Sequence, residues 1–232
     1  MKLSTGTSVL DRFLNGGFDR DCITTVYGAA GVGKTTLTLL ATISAVQEGK
    51  RVIYMDTEGG FSIERLKQLT HDYENILKNI IFLNPTTFQK QKEAFDKLRG
   101  LATDDIGLIV VDSIAMLYRM ELGKADDIYG INRDLGRQIG YLTDIARTKT
   151  IPILVTNQVY SQFDSREKVN MVGGDVLKYG SKCLLELKKT NSRIRRAMLA
   201  KHRSIPEHKE TYFHIEEDGL APAEAPTGFR KI

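Results

Sequence analysis

Tryptophan is absent from this 232-residue chain, cysteine occurs twice, histidine four times and proline five times. Each scarcity excludes something. Cys22 and Cys183 stand far apart and outside any Cys-x-x-Cys pattern. Neither a disulfide framework nor a thiolate metal site is indicated; the pair reads as buried free thiols of a reducing, cytoplasmic compartment. The histidines are scattered without zinc-ligand spacing. No apolar run approaches the roughly 20 residues that span a bilayer. The first residues lack the apolar stretch of a secretion signal, so no membrane partner is expected. Repeats, low-complexity tracts and flexible linkers are missing too. With 41% hydrophobic residues, the expectation is one α/β domain over 1–232.

Charge is present and unevenly spread. The net charge is +4. Residues 178–209 hold ten Lys or Arg against Glu186 and Glu207, so that stretch carries +8 and the remainder −4. A basic third on a slightly acidic body suggests a polyanionic partner. The alternative is a solvated face, with lysines pointing outward from a half-exposed strand such as 184–188.

Short apolar, β-branched runs alternate with helical stretches. Strands are expected at 23–27, 51–56, 80–84, 107–112 and 151–157, and helices at 37–48, 63–78, 87–101 and 131–149. Leu108-Ile109-Val110-Val111 is continuously apolar, as in a parallel sheet covered on both faces by helices. After residue 175 the pattern changes to short strands at 184–188, 195–201 and 212–215, an antiparallel extension. Residues 221–226, Ala-Pro-Ala-Glu-Ala-Pro, read as an irregular tail.

The most specific signal is Gly28-Ala29-Ala30-Gly31-Val32-Gly33-Lys34-Thr35, followed by Thr36. It matches G-x-x-x-x-G-K-[ST], the phosphate-binding P-loop. Its glycines let backbone N–H groups cradle a polyphosphate. Lys34 supplies charge to the β- and γ-phosphates, and the Thr35 hydroxyl can ligate Mg²⁺. A strand before it and a helix after it place the phosphates on a helix N-terminus. ATP and Mg²⁺ are therefore the expected cofactors. Asp112 ends an apolar strand, where the acid of a P-loop site holds the metal directly or through water. Glu58 follows the strand 52–55 and would lie near the γ-phosphate; it reads equally as a water-activating base or as an ordinary loop acid. Gln158 ends the strand 153–156 and can sense a terminal phosphate. Two stretches, 119–130 and 159–174, read as irregular loops on the same side of the sheet.

Together these residues resemble the RecA/RadA family of recombinase ATPases. The resemblance also rests on Ser4-Thr5-Gly6, Gly16-Gly17-Phe18, Tyr54-Met55-Asp56-Thr57-Glu58-Gly59, Val111-Asp112-Ser113-Ile114 and Thr156-Asn157-Gln158-Val159, and it covers nearly the whole chain. It implies a RecA-like core with a mostly parallel sheet. It implies Lys34 and Thr35 on phosphates and metal, Asp112 on the metal, Glu58 as hydrolytic base and Gln158 as coupler to a DNA loop. Arg65 matches an arginine stacking on adenine; its plainer reading is a surface arginine paired with Glu64 or Asp72. The loops 119–130 and 159–174 resemble DNA-facing loops, with Arg119 the foremost candidate. Lys188, Lys189 and the triplet Lys201-His202-Arg203 complete the expected DNA-binding set. The triplet reads alternatively as a trans-acting cation source or as exposed basic residues at a strand end.

Two family features are missing from the pattern: an N-terminal helix-hairpin-helix domain and a Phe-x-x-Ala docking motif. The resemblance then implies an accessory of homologous recombination and repair. It would bind ATP and single-stranded DNA, hydrolyse slowly as a monomer or weak dimer, and assist a RadA-type recombinase. The competing reading is a nucleotide-gated protein-interaction module of the KaiC-like signalling kind. A hexameric helicase core is a third.

Overall fold

The computed structural model describes residues 2–123, 127–161, 169–190 and 193–226. A small antiparallel pair, β1 (Lys2–Leu3) and β2 (Phe18–Asp19), brackets α1 (Ser8–Phe13). The chain then alternates through β3 (Ile23–Gly28), α2 (Lys34–Gln47), β4 (Arg51–Asp56), α3 (Ile63–Leu69), α4 (Tyr73–Lys78), β5 (Ile80–Leu83), α5 (Phe88–Leu101) and β6 (Ile106–Asp112). Next come α6 (Met116–Leu122), α7 (Ile128–Lys149), β7 (Ile153–Ser161), β8 (Val169–Met171) and α8 (Gly174–Gly180). Four strands close the order: β9 (Cys183–Lys189), β10 (Ile194–His202), β11 (Glu210–Glu216) and β12 (Gly219–Ala223).

The main sheet runs β12-β11-β10-β9-β3-β7-β6-β4-β5. Its members from β9 to β5 are parallel, and β9 to β12 are antiparallel. Strand alternation divides the core. Leu108 and Val110 of β6 face the layer that contains Leu37, Ala41 and Val46 of α2. Ile109 and Val111 face the opposite layer, with Phe95 and Leu98 of α5 and Leu135 and Leu142 of α7. Each such fully buried side chain contributes about 1.5–3 kcal/mol. Both faces are covered, which explains the unbroken apolar runs. Parallel strands also bring the C-terminal ends of β3, β4, β6 and β7 to one rim.

Several boundaries differ from expectation for identifiable reasons. The helix expected at 63–78 is broken: Thr70 is extended (φ −158°, ψ 140°), and its hydroxyl accepts from the Asp72 N–H at 3.1 Å. That side-chain bond offers the backbone an alternative to helix. The last long helix begins at Ile128, because Asp127 caps it by accepting from Gly130 N–H at 2.8 Å. The irregular stretch expected at 119–130 is therefore mostly helical, with Arg119 in the last turn of α6; 124–126 lie outside the described residues. The expected loop 159–174 is framed by the β7–β8 ladder, Val159 to Met171 and Ser161 to Val169; 162–168 lie outside the described residues. The supposed tail at 221–226 begins as the edge strand β12, where Pro222 needs no ladder donor.

Candidate functional site

The phosphate loop leaves β3 at Gly28 and enters α2 at Lys34. Gly33, the N-cap of α2, has φ 104°, and a Cβ there would lie 2.6 Å from Ile215 Cδ1; only glycine fits. Lys34 is buried, its ammonium donating to the carbonyls of Gly28 (3.0 Å) and Ala29 (2.9 Å). Burial holds its pKa below the usual lysine value, against the opposing pull of Glu58 and Asp112.

Asp112 sits at the end of β6, buried, and its carboxylate is the hub of the site. Thr35 Oγ1 donates to its Oδ2 at 2.8 Å and Tyr54 OH at 3.2 Å, while Thr156 Oγ1 donates to Oδ1. Burial raises the Asp112 pKa and the Thr156 and Thr35 hydrogen bonds oppose it. Thr38 and Tyr54 hydroxyls pair at 2.8 Å, tying α2 to β4. Tyr54 is pushed well above the ordinary tyrosine value, first by burial and then by Asp112, so it stays a neutral donor.

Glu58 is carried on a loop that Asp56 builds. Asp56 Oδ1 accepts from the backbone N–H groups of Glu58, Gly59 and Gly60 (3.1, 2.8 and 3.1 Å), and Oδ2 from Phe61 (2.9 Å). Thr57 fastens the strand ends together: its N–H donates to Asp112 O at 2.9 Å and its hydroxyl to Ser113 O at 2.7 Å. The Glu58 carboxylate then accepts from Ser113 Oγ and, at 3.1 and 2.9 Å, from Gln158 Nε2. Asn157 Nδ2 holds the Val172 carbonyl at 2.9 Å. The chain returning from beyond β8 is thus anchored one residue from Gln158.

Ala30, Gly31, Gly33, Lys34, Thr35, Thr36, Glu58, Asp112, Gln158 and Ile215 line one cavity of about 290 Å³. The parallel strand ends therefore unite Lys34, Thr35, Glu58, Asp112 and Gln158, four of them separated by long stretches of sequence. Asp56, Tyr54, Ser113 and Thr156 join the site beyond the residues expected from sequence. A tyrosine within the apolar run of β4 was their readable signal, since a buried hydroxyl must find a partner.

The site fits a Mg-nucleotide. Thr35 Oγ1 and the Asp112 carboxylate present two hard oxygen donors side by side, the set Mg²⁺ prefers when phosphates and water complete its shell. Among the described residues no cluster of three or more His, Cys, Asp or Glu could hold a metal alone.

Other expected residues lie outside this cavity. Arg65 donates to the carbonyls of Glu216 (2.7 Å) and Glu217 (2.8 Å) and to Gln68 (2.8 Å). Its edges are fixed on the β11–β12 turn, not on Glu64 or Asp72. Lys188 and Lys189 are exposed at the end of β9. The triplet is engaged internally. Lys201 Nζ donates to Lys178 O (2.6 Å) and Ser181 O (2.8 Å), capping α8. His202 Nδ1 accepts from Ser204 and Ile205 N–H at 3.1 and 3.2 Å. Arg203 forks onto Asp21 (2.6 and 2.7 Å) and reaches Asp19 at 3.0 Å.

Arg203→Ala is therefore expected to cost about 0.2–1 kcal/mol of stability, the range of screened ion pairs, and to leave nucleotide affinity unchanged. The Arg203 hydrogen bond is the chief cause that holds the Asp21 carboxyl below its usual range. Such a depressed carboxyl stabilises the fold above its unfolded pKa, and the contribution is lost as pH falls through the folded value. The gap between the two proteins in urea denaturation should thus close in acid.

A sequence model of the Rad51 family matches residues 1–223. The chain belongs to the Rad51 family. Among its relatives, the "DNA repair and recombination protein RadB" of Methanococcus maripaludis strain C5 is 44% identical over 214 residues, covering 91% of this chain and 96% of that one. The protein of the same description from Methanobrevibacter smithii is 38% identical over 226 residues, covering 94% and 95%. A solved structure described as the crystal structure of the RadB recombinase superposes with a TM-score of 0.81 at 38% identity. It covers 96% of this chain and 100% of that one. The Rad51/RecA-like fold, with its large mostly parallel sheet and C-terminal antiparallel strands, is that of the family. Among the described residues no helix is long and apolar enough to cross a membrane, and both cysteines are buried and free.

Proposed function

We propose that this chain is a Mg-dependent ATPase of low turnover that binds single-stranded DNA and assists a RadA-type recombinase in homologous recombination and repair. The observation that carries the nucleotide half is the Thr35–Asp112 contact inside the phosphate loop's cavity, with Glu58 opposite. Bound Mg²⁺ would offset charge on the β- and γ-phosphates. Lys34 would bind those phosphates, Glu58 would take a proton from the attacking water, and Gln158 would hold both Glu58 oxygens and follow any movement of that carboxylate. The recombination half draws on the names of the relatives and on the basic stretch.

Slow turnover and a monomeric or weakly dimeric state draw support from the engaged triplet, since Lys201 and Arg203 are committed within their own chain. The deciding measurement is ATPase rate per subunit across protein concentration, with and without single-stranded DNA. A slow rate that is independent of concentration and rises little with DNA fits the proposal. Strong stimulation would indicate an active recombinase, and no DNA binding at all would favour the protein-interaction module.

Nucleic-acid affinity should fall steeply with salt. Changing Lys188 and Lys189 together to Gln is expected to weaken all DNA sequences alike and to reduce the log–log salt slope by up to about 1.4, roughly 0.7 per lost contact to a single strand. An unchanged slope would leave these lysines as solvated surface.

A further inference from the structure

β10, β11 and the residues preceding β10 enclose a second cavity, about 390 Å³, lined by Arg193, Arg195, His214, Ile215 and Glu216. It shares Ile215 with the phosphate cavity, so the two adjoin. Arg195 lies two residues before Ala197 and four before Leu199, on the same strand face. Both of those side chains are fully buried in the core. Arg195 therefore stands where the core face of the sheet meets the cavity.

Its electrostatic situation is unusual. Arg195 Nε and Nη1 are buried and have no hydrogen-bond partner. The next residue, Arg196, is paired with Glu186 (3.2 Å) and Glu210 (2.8 Å); Arg195 has no carboxylate partner among the described residues. Its direct neighbours are Phe213 on β11 and, on β9, another cation, exposed Lys189, and like charges in that position are destabilising. Glu216, which is exposed, is the acid of the lining. Unsatisfied buried donors cost about 1–3 kcal/mol each, more when charged. An anion bound beside Arg195 in the cavity would offset the cross-strand repulsion.

We propose that Arg195 binds a phosphodiester group of a nucleic-acid strand, with Lys189 beside it on the neighbouring phosphate. The planar fork suits a phosphate oxygen pair. The same group could come from the nucleotide next door. The strand is favoured because Lys34, Thr35 and the loop amides already serve the nucleotide's phosphates, while the cations continue from Arg195 to Lys189 outside that cavity. The inference rests on the nucleic-acid binding proposed above.

The test uses the full chain and a fluorescein-labelled oligothymidylate, with anisotropy read across a salt series and a fluorescent ATP analogue with Mg²⁺ as the second arm. Arg195→Gln is expected to weaken oligonucleotide binding about tenfold at low salt and to lower the slope by about 0.7, the single-strand value per contact. Arg195→Lys should keep that slope. Affinity for the ATP analogue should stay within about twofold of wild type. Folded Arg195→Gln with unchanged oligonucleotide binding overturns the proposal, as does a loss confined to the nucleotide arm. Should Arg195→Gln not fold, exposed Lys189→Gln decides: a lowered slope supports the site, a full slope overturns it. Wild-type protein that binds no oligonucleotide at low salt overturns the nucleic-acid reading itself, a failure distinct from the loss of this one contact.

Discussion

Glu58→Gln is expected to bind ATP within about twofold of wild type yet hydrolyse it about 10²–10⁴-fold more slowly, the usual contribution of a positioned general base. The substitution keeps the side chain's shape, and its carbonyl oxygen can still accept from Ser113 Oγ and Gln158 Nε2, the partners of the native carboxylate. The four N–H groups that Asp56 gathers continue to hold the loop, because none of them depends on the Glu58 side chain. What disappears is basicity and one negative charge. That charge raises the pKa of both Lys34 and Asp112, so its removal makes Asp112 easier to ionise and leaves the phosphate site no less hospitable. Nucleotide titration and steady-state turnover on the same preparation separate the two effects. Turnover near wild type would reduce Glu58 to a loop acid.

Lys34→Ala should instead weaken binding and reduce turnover together. It removes the ammonium that the P-loop brings to the β- and γ-phosphates, where a charged hydrogen bond is worth about 2–3 kcal/mol, or roughly 30–150-fold in affinity. The folded protein should survive, with a different pH dependence of stability. Burial lowers the Lys34 pKa in the fold, so the native state is penalised while the amine is charged. The sign follows: the penalty is fully present below the folded pKa and is relieved as pH rises from there to the unfolded value near 10.5. Wild type should therefore gain stability relative to the variant in alkali. A folded variant with native ATP affinity would sink the phosphate-site assignment.

These residues were readable because their chemistry is local. The P-loop is a contiguous motif, Asp112 ends a run whose apolar continuity marks a buried parallel strand, and Gln158 follows such a run within β7. Parallel topology does the rest, since it delivers strand ends to one rim. What escaped depends on contacts between distant segments. Thr70 breaks a helix through one side-chain bond, and Asp127 starts another early; propensity alone weighs neither. The basic stretch looked like one electrostatic feature in sequence. In the fold, Arg196, Lys201, Arg203 and Lys209 turn inward to acids or carbonyls, whereas Lys188 and Lys189 remain exposed. Pairing partners such as Asp19 and Asp21 lie at the other end of the chain, beyond any windowed reading.

The wall that Ile215 supplies to the phosphate cavity has a bearing on how this protein is made. Gly33 leaves the ribosome long before β11 does, and β11 is joined to β3 only through β9 and β10 in the sheet. The glycine loop by itself is an open turn; its far side arrives with almost the last strand synthesised. Domains are completed in the order they are translated, and partly formed sheets expose unpaired edges meanwhile. A nucleotide that needs the finished cavity cannot lodge in such a half-built sheet. The free energy of nucleotide binding would therefore stabilise only chains that have reached the final hairpin.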